Sequence, residues 1–289
     1  MPHFTSAPEA IPANYFSILR IQGLMSKTQM IAHVSEAYTH VKRRRARVLL
    51  ASAALLIFSL ATATDSLGQR HFSRTYPARG DVRLELTNRT GTITVESWER
   101  NLVKVSAEME APAARFTPEI NGNGMVINVL RDNSGQDVGD VNFRIFVPVN
   151  ATVDLETRRG QITVRGVRGE MVRAHVSSEG DIELTDIRAG TVVAENTMGN
   201  ILFDAELIRG GSYSLRSAQG DISVRLSADS GFNLTADAPH TRRISLGEFE
   251  NLGKFDLISG GRRIIGRVGE GAASLFTTDL RGSIHIMRR

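Results

Sequence analysis

From residue 70 onward the chain alternates. Short runs in which every second residue is Val, Ile, Leu or Phe recur along it, separated by Thr, Ser, Asp, Glu or Arg and opened by glycine. A period of two describes a strand with one face buried and the other in water. The repeating unit is Gly, any residue, an apolar residue, any residue, a second apolar residue. It reads Gly80-Asp-Val82-Arg-Leu84, Gly91-Thr-Ile93-Thr-Val95, Gly160-Gln-Ile162-Thr-Val164, Gly180-Asp-Ile182-Glu-Leu184 and Gly199-Asn-Ile201-Leu-Phe203. It continues as Gly211-Ser-Tyr213-Ser-Leu215, Gly220-Asp-Ile222-Ser-Val224, Gly253-Lys-Phe255-Asp-Leu257 and Gly282-Ser-Ile284-His-Ile286.

The spacing carries the architecture. Gly160, Gly180, Gly199 and Gly220 stand 20, 19 and 21 residues apart, and Gly169, Gly190, Gly211 and Gly231 fall near the midpoints. Each half-period holds one short strand and one turn. Such a strand cannot bury its apolar face alone, so equivalent strands must stack. Asp81, Asp181 and Asp221 follow their glycines as turn residues do. Thr157, Ser177, Asn196 and Ser217 precede the turn glycine by three residues, where stacked polar side chains could bond along the axis.

An antiparallel sandwich also spaces its turns 8–12 residues apart. It has no reason to repeat the same turn residue at the same offset, so the expected fold is all-β. The reading is a single-stranded β-solenoid with about 20 residues per coil. Residues 71–150 have a different texture, with strands over Leu102–Met109, Met125–Leu130 and Val141–Val147 and strong turns at Asn121–Gly124 and Asp132–Gly135. They are read as a capping β region, with solenoid repeats over 151–289 ending at Arg288-Arg289, whose charges discourage edge pairing.

Two segments carry a family resemblance. They are Val141-Asn-Phe-Arg-Ile-Phe-Val-Pro148 with Val153 to Val164, and Gly266 to Gly271 with Leu275 to Ile284. Over residues 75–287 the chain resembles the bacterial putative-adhesin domains of unknown function, built from glycine-punctuated β-repeats. The resemblance implies a solenoid and an adhesion-type role, and brings no catalytic residues with it.

Charge separates the ends of the chain. Of 35 basic and 31 acidic residues, seven and two precede Ala63, which leaves 28 and 29 in a nearly neutral body. The pI near 9.7 therefore belongs to the leader and does not point to nucleic acid. Residues 1–63 read as a leader: Lys42-Arg-Arg-Arg-Ala-Arg47, an apolar run from Val48 to Leu60, then Ala61-Thr-Ala63. That is the order of a signal peptide with cleavage after Ala63. The alternative is an uncleaved helix through 48–63 that anchors the chain in the cytoplasmic membrane. The 41 residues ahead of Lys42 are long for such a leader, so Met25 and Met30 are alternative starts. Either way the body is exported, to the periplasm, the outer surface or the medium.

Candidate chemistry is sparse. The chain has no cysteine, which excludes disulfides and thiolate sites. His71, His175, His240 and His285 show no metal-ligand spacing. No catalytic residue, metal site or cofactor site is expected. Trp98 is the sole tryptophan, so no aromatic platform is expected either. Asp154, Glu156, Glu183 and Glu195 are the acids a carbohydrate-active β-helix enzyme could use, but they alternate with Ser, Thr and Arg as a solvated face does. Of the 28 basic residues beyond Ala63, 26 are arginine. Arg158, Arg159, Arg165, Arg168 and Arg173 lie close enough in sequence to gather at one solenoid corner, where guanidinium groups would take an anionic polysaccharide or another cell-surface component.

The expected function is thus a non-catalytic, exported envelope module of structural or adhesion type. The alternatives are the β-helix enzyme and a membrane-anchored envelope sensor. Mass spectrometry of the exported protein separates two of them: a soluble periplasmic chain beginning at Thr64 is the expected result, and an intact chain in the membrane would favour the sensor.

Overall fold

The computed structural model describes residues 70–227 and 229–289. The leader, with its arginine cluster, its apolar run and Ala63, lies outside the described residues. The first strands are β1 (Arg70–Pro77), β2 (Arg83–Thr87), β3 (Ile93–Trp98), β4 (Leu102–Met109), β5 (Glu119–Asn121) and β6 (Gly124–Asn128). A single helical turn, α1 (Val129–Asp132), precedes β7 (Val141–Pro148). The strand expected to run to Leu130 stops two residues early, because the Asn128 side chain accepts the Arg131 N–H at 2.8 Å and caps that turn.

The regular stretch follows as β8 (Thr152–Arg159), β9 (Ile162–Arg165), β10 (Met171–Glu179), β11 (Ile182–Ile187), β12 (Thr191–Met198), β13 (Ile201–Ala205), β14 (Ser212–Gln219) and β15 (Ile222–Leu226). The last strands are β16 (Phe232–Asp237) and β17 (Ile244–Ser245), then, after a 3₁₀ turn (Gly247–Asn251), β18 (Gly253–Ile258), β19 (Arg263–Val268), β20 (Ala273–Asp279) and β21 (Ile284–Arg288).

These strands form two large mixed sheets. The first runs β1-β4-β7-β3-β9-β11-β13-β15-β21-β17, and the second runs β18-β19-β16-β20-β14-β12-β10-β8-β2-β6-β5. From β8 to β15 the chain alternates between the sheets, and each strand pairs in parallel with the one two places on. Register follows the repeat. Ile93, Ile162, Ile182, Ile201, Ile222 and Ile284 fall opposite one another in the first sheet, each at most 1% exposed. Val153, Val172, Val192, Tyr213 and Leu275 form the matching row in the second sheet. Full burial of one such side chain stabilises by about 1.5–3 kcal/mol, so the two rows account for much of the core.

Between the sheets, on one side, the glycines stack. Gly91, Gly160, Gly180, Gly199 and Gly220 all hold φ between +108° and +151°, a region that penalises any β-carbon. A Cβ on Gly160 would collide with the carbonyl of Gly91, one on Gly180 with Gly160, one on Gly199 with Gly180, one on Gly220 with Gly199, and one on Gly282 with Gly220. After Gly180, Gly199 and Gly220 the next side chain ties the repeats together. Asp181 accepts the Asn200 N–H at 2.7 Å, Asn200 accepts Asp221 N–H at 2.9 Å, and Asp221 accepts Ser283 N–H at 2.8 Å. The other side of the stack is less uniform: a Cβ on Gly169 would collide with the Ala151 carbonyl, whereas Gly190 and Gly231 have no backbone atom within 3.2 Å of a would-be Cβ.

Both ends reverse the order of the chain. β2 and β3 come early in sequence, yet they lie inside the stack, between β8/β9 and β6/β7. β20 and β21 come last, yet they insert between β14/β15 and β16/β17. The end expected at Arg288-Arg289 therefore lies elsewhere, since β21 sits one place in and β17 and β18 are the outermost strands there.

A buried polar row lines the interior beside the glycines: Thr157, Asn196, Ser217 and Asp279. Ser177 does not join it. A bulge between Val176 and Glu179 adds one residue, so Val176 takes the stacked position and Ser177 faces water. Asp279 is fully buried; its Oδ1 accepts the N–H groups of Arg281 and Gly282 at 3.1 and 2.7 Å, and its Oδ2 has no partner. Burial raises its pKa above the ordinary 3.8, and the nearby Asp221 charge adds to the rise. The folded state thus holds this proton at a pH where the unfolded chain has lost it, and stability falls as pH rises from 3.8 through the folded value. Asp279→Asn keeps the shape and removes the ionisation. In urea denaturation, the wild type should lose stability relative to this variant as pH rises through that window; a difference that stays constant with pH would contradict the assignment.

Candidate binding groove

The mutually parallel strands of the second sheet begin on the side opposite the glycine column, and there the short turns leave an open groove of about 1080 Å³. Its length follows the stacking direction. Arg83 opens β2, Asn150 precedes and Thr152 opens β8, Arg168 and Glu170 precede β10, Gly190 precedes and Thr191 opens β12, and Ile208 to Gly211 precede β14. Asp81 and the β5–β6 turn residues Asn121 and Asn123 close one end. The walls are therefore guanidinium, carboxamide and hydroxyl groups, with bare backbone at the glycines.

Three guanidinium groups stand free enough to take a ligand. Arg83 reaches Asp154 only at 3.9 Å, and Arg168 reaches Asp186 only at 3.9 Å. Arg209 meets Glu270 at 2.9 Å, but both are about 80% exposed, and such a pair contributes ~1 kcal/mol or less. Tyr213 fixes the wall that carries Arg209. Its buried hydroxyl accepts the Ile208 N–H at 2.8 Å and donates to the Ala189 carbonyl at 3.1 Å. Burial raises its pKa, which keeps the donor proton in place; the Ile208 bond works against the rise and Glu206 adds to it.

The five arginines singled out by sequence do not gather at one corner. Arg158 and Arg159 end β8, exposed, on the glycine side. Arg165 ends β9 in the first sheet and meets Glu183 at 3.3 Å. Arg173 lies on the outer face of the second sheet, 3.1 Å from Asp154 and 3.8 Å from Glu156. Arg168 alone lines the groove. The reason is geometric: five or more residues carry the chain from one side of the stack to the other, so sequence neighbours are parted. Arg83 and Arg209 were missed. A usable signal was present at 168 and 209, where arginine stands one and two residues before the half-period glycines Gly169 and Gly211.

The candidate acids also divide. Asp154, Glu156 and Glu195 share the outer face of the second sheet, and Glu183 lies on the first. Glu156, His175 and Glu195 are register neighbours, with His175 Nδ1 3.8 Å from Glu195 and Arg216 3.6 Å from it. Among the described residues no group of three or more His, Asp or Glu is placed to hold a metal ion, and no helix is long and apolar enough to cross a membrane. Trp98 stacks on Phe146 with ring centroids 5.3 Å apart, and Arg100 and Arg144 lie over the two rings. Sequence reading missed this aromatic pair, because 48 residues separate its members.

No protein-family model and no curated protein matches the chain. Among solved structures it is similar to a putative cell adhesion protein from Clostridium sporogenes, at 12% identity over 76% of this chain and all of the other, with a TM-score of 0.46. It is also similar to a putative adhesin from Bacteroides fragilis, at 9% identity over 75% and 97% of the two chains, TM-score 0.40. A third is a putative lipid binding protein from Parabacteroides distasonis, at 10% identity over 76% and 97%, TM-score 0.29. These likenesses are distant. None of them assigns a function to this chain.

Proposed function

We propose that the chain is an exported, non-catalytic β-solenoid that holds a stretch of anionic polysaccharide in its corner groove, as an adhesion-type module of a cell envelope does. The spacing of the groove's arginines carries this reading. In the stacking order β2, β8, β10, β12, β14 the cations fall at the first, third and fifth strands. Strands lie ~4.8 Å apart, so a guanidinium recurs about every 10 Å. That is close to the length of a disaccharide, so every second sugar of a linear acidic chain would present its carboxylate or sulfate to an arginine. Guanidinium takes such groups through two parallel hydrogen bonds. Asn121, Asn123, Asn150, Thr152 and Thr191 would serve the intervening hydroxyls. Asp81 and Glu170 in the same groove temper the field, which favours a moderately charged polymer over a polyphosphate.

The solenoid itself is supported by the parallel pairing of strands two places apart and by the stacked glycines. Export is supported by the leader's signal-peptide pattern. Titration calorimetry with an oligogalacturonate and with a neutral oligosaccharide of equal length tests the function. The acidic oligomer should bind, less tightly as salt rises. Loss of one charged hydrogen-bonding group should weaken it about tenfold in Arg168→Ala, whereas Arg158→Ala, on the other side of the stack, should leave affinity unchanged. Equal binding of the neutral oligomer, or indifference to Arg168→Ala, would contradict the reading. Release of new reducing ends during the titration would turn the module into an enzyme.

A further inference from the structure

The second sheet overhangs the first at the C-terminal end. It continues past β16 into β19 and β18, whereas the first sheet stops at the two-residue β17. Gly253, Phe255 and Leu257 share the core-facing side of β18, opposite Val268, Gly266 and Ile264 of β19. Yet Leu257 is 70% exposed, and Leu252 just before the strand is 53% exposed. β18 is also the last strand of its sheet, so one backbone edge has no neighbour. It contains no proline and no bulge, and of the usual guards of an edge it carries only charged side chains, Lys254 and Asp256.

We propose that β18 pairs antiparallel with β18 of a second copy, about a two-fold axis at Phe255, joining two chains end to end through a continuous sheet. Charge selects both partner and register. With Phe255 opposite the partner's Phe255, Lys254 lies opposite the partner's Asp256, and the reverse holds across the axis. Leu257 then lies opposite the partner's Gly253, which has no side chain to displace it. Within one chain Lys254 stands opposite Arg267, a like charge. Neither Lys254 nor Asp256 makes an ion pair among the described residues. Centring the axis on residue 254 sets Lys254 against itself, and centring it on 256 sets Asp256 against itself. A shift by one residue would join the apolar face of one copy to the polar face of the other. The 255-centred pairing alone satisfies both charge and face, and a contact of this kind, the same patch on both subunits, closes as a dimer.

Sedimentation velocity of the exported chain tests the proposal. The wild type should be a concentration-dependent dimer, and Lys254→Glu should weaken it about tenfold or more, since both cross-axis pairs become repulsive. Adding Asp256→Lys to that variant restores opposite charges and should return the affinity to within about threefold of wild type. Because the chain contains no cysteine, Phe255→Cys supplies a second readout. Residues facing each other across an antiparallel pair lie ~4.5–5.5 Å apart at Cα, within disulfide reach, so this variant should form a covalent dimer under mild oxidation. Ile120→Cys, exposed on β5 at the other end of the same sheet, should not. A monomer at every concentration, a double variant no tighter than the single one, or open polymers that would join β18 to β5 would each overturn the proposal.

Discussion

A column of glycines sets the distance at which successive repeats can stack. Each of the five from Gly160 to Gly282 presses its α-carbon against the carbonyl of the glycine one place back, in a space a single methyl group would overfill. The N–H groups of Gly160, Gly180 and Gly199 donate to Glu179, Met198 and Gln219 at 2.8–2.9 Å, so the close approach is also hydrogen-bonded. With that spacing fixed at one corner, strands of four to six residues (β9, β11, β13, β15 and β21) come into register in the first sheet and strands of seven to nine (β8, β10, β12, β14 and β20) in the second. The isoleucine row and its counterpart in the second sheet then bury against each other with no further specification. The other corner has no such continuous column, since Gly169 is held against Ala151 but Gly190 and Gly231 are not held in this way, and there the groove forms.

The same geometry explains the ends. A stack of parallel strands exposes unpaired edges at both of its faces, and those edges invite association. The chain deals with this by laying its first and last repeats one place inside, so that β6/β7 and β16/β17 cover them. The antiparallel β1-β4-β7 ladder and the three-residue β5 then finish one end. At the other end the edge strand β18 is longer than β5 and carries the exposed Leu257 and Ile258.

Much of the fold was legible because its cause is local. The period of two, the glycine offset and the 19–21 residue spacing all reflect contacts between equivalent positions of successive repeats, and those leave a pattern in sequence. Ser177 misled because a bulge is invisible in a count of residues. The insertion of β20 and β21 was hidden for a different reason: Gly220 and Gly282 are stacked neighbours separated by 62 residues, and nothing in either segment names its partner. The binding groove was half legible. Arg168 was singled out for its charge, but the side of the stack on which an arginine falls depends on strand length and turn position, and Arg158 and Arg165 show how quickly neighbours separate.

The stacked glycines from Gly160 to Gly282 are required for contact, whereas Gly210, at the other corner, is required only for conformation. Urea denaturation of Gly180→Ala and Gly210→Ala separates these roles. Both residues have positive φ, but a Cβ on Gly210 meets nothing within 4 Å, whereas one on Gly180 meets the backbone of Gly160. The account predicts a loss of about 1 kcal/mol for Gly210→Ala and about 3 kcal/mol or more for Gly180→Ala, from strain and overpacking together. Equal losses at the two positions would contradict it.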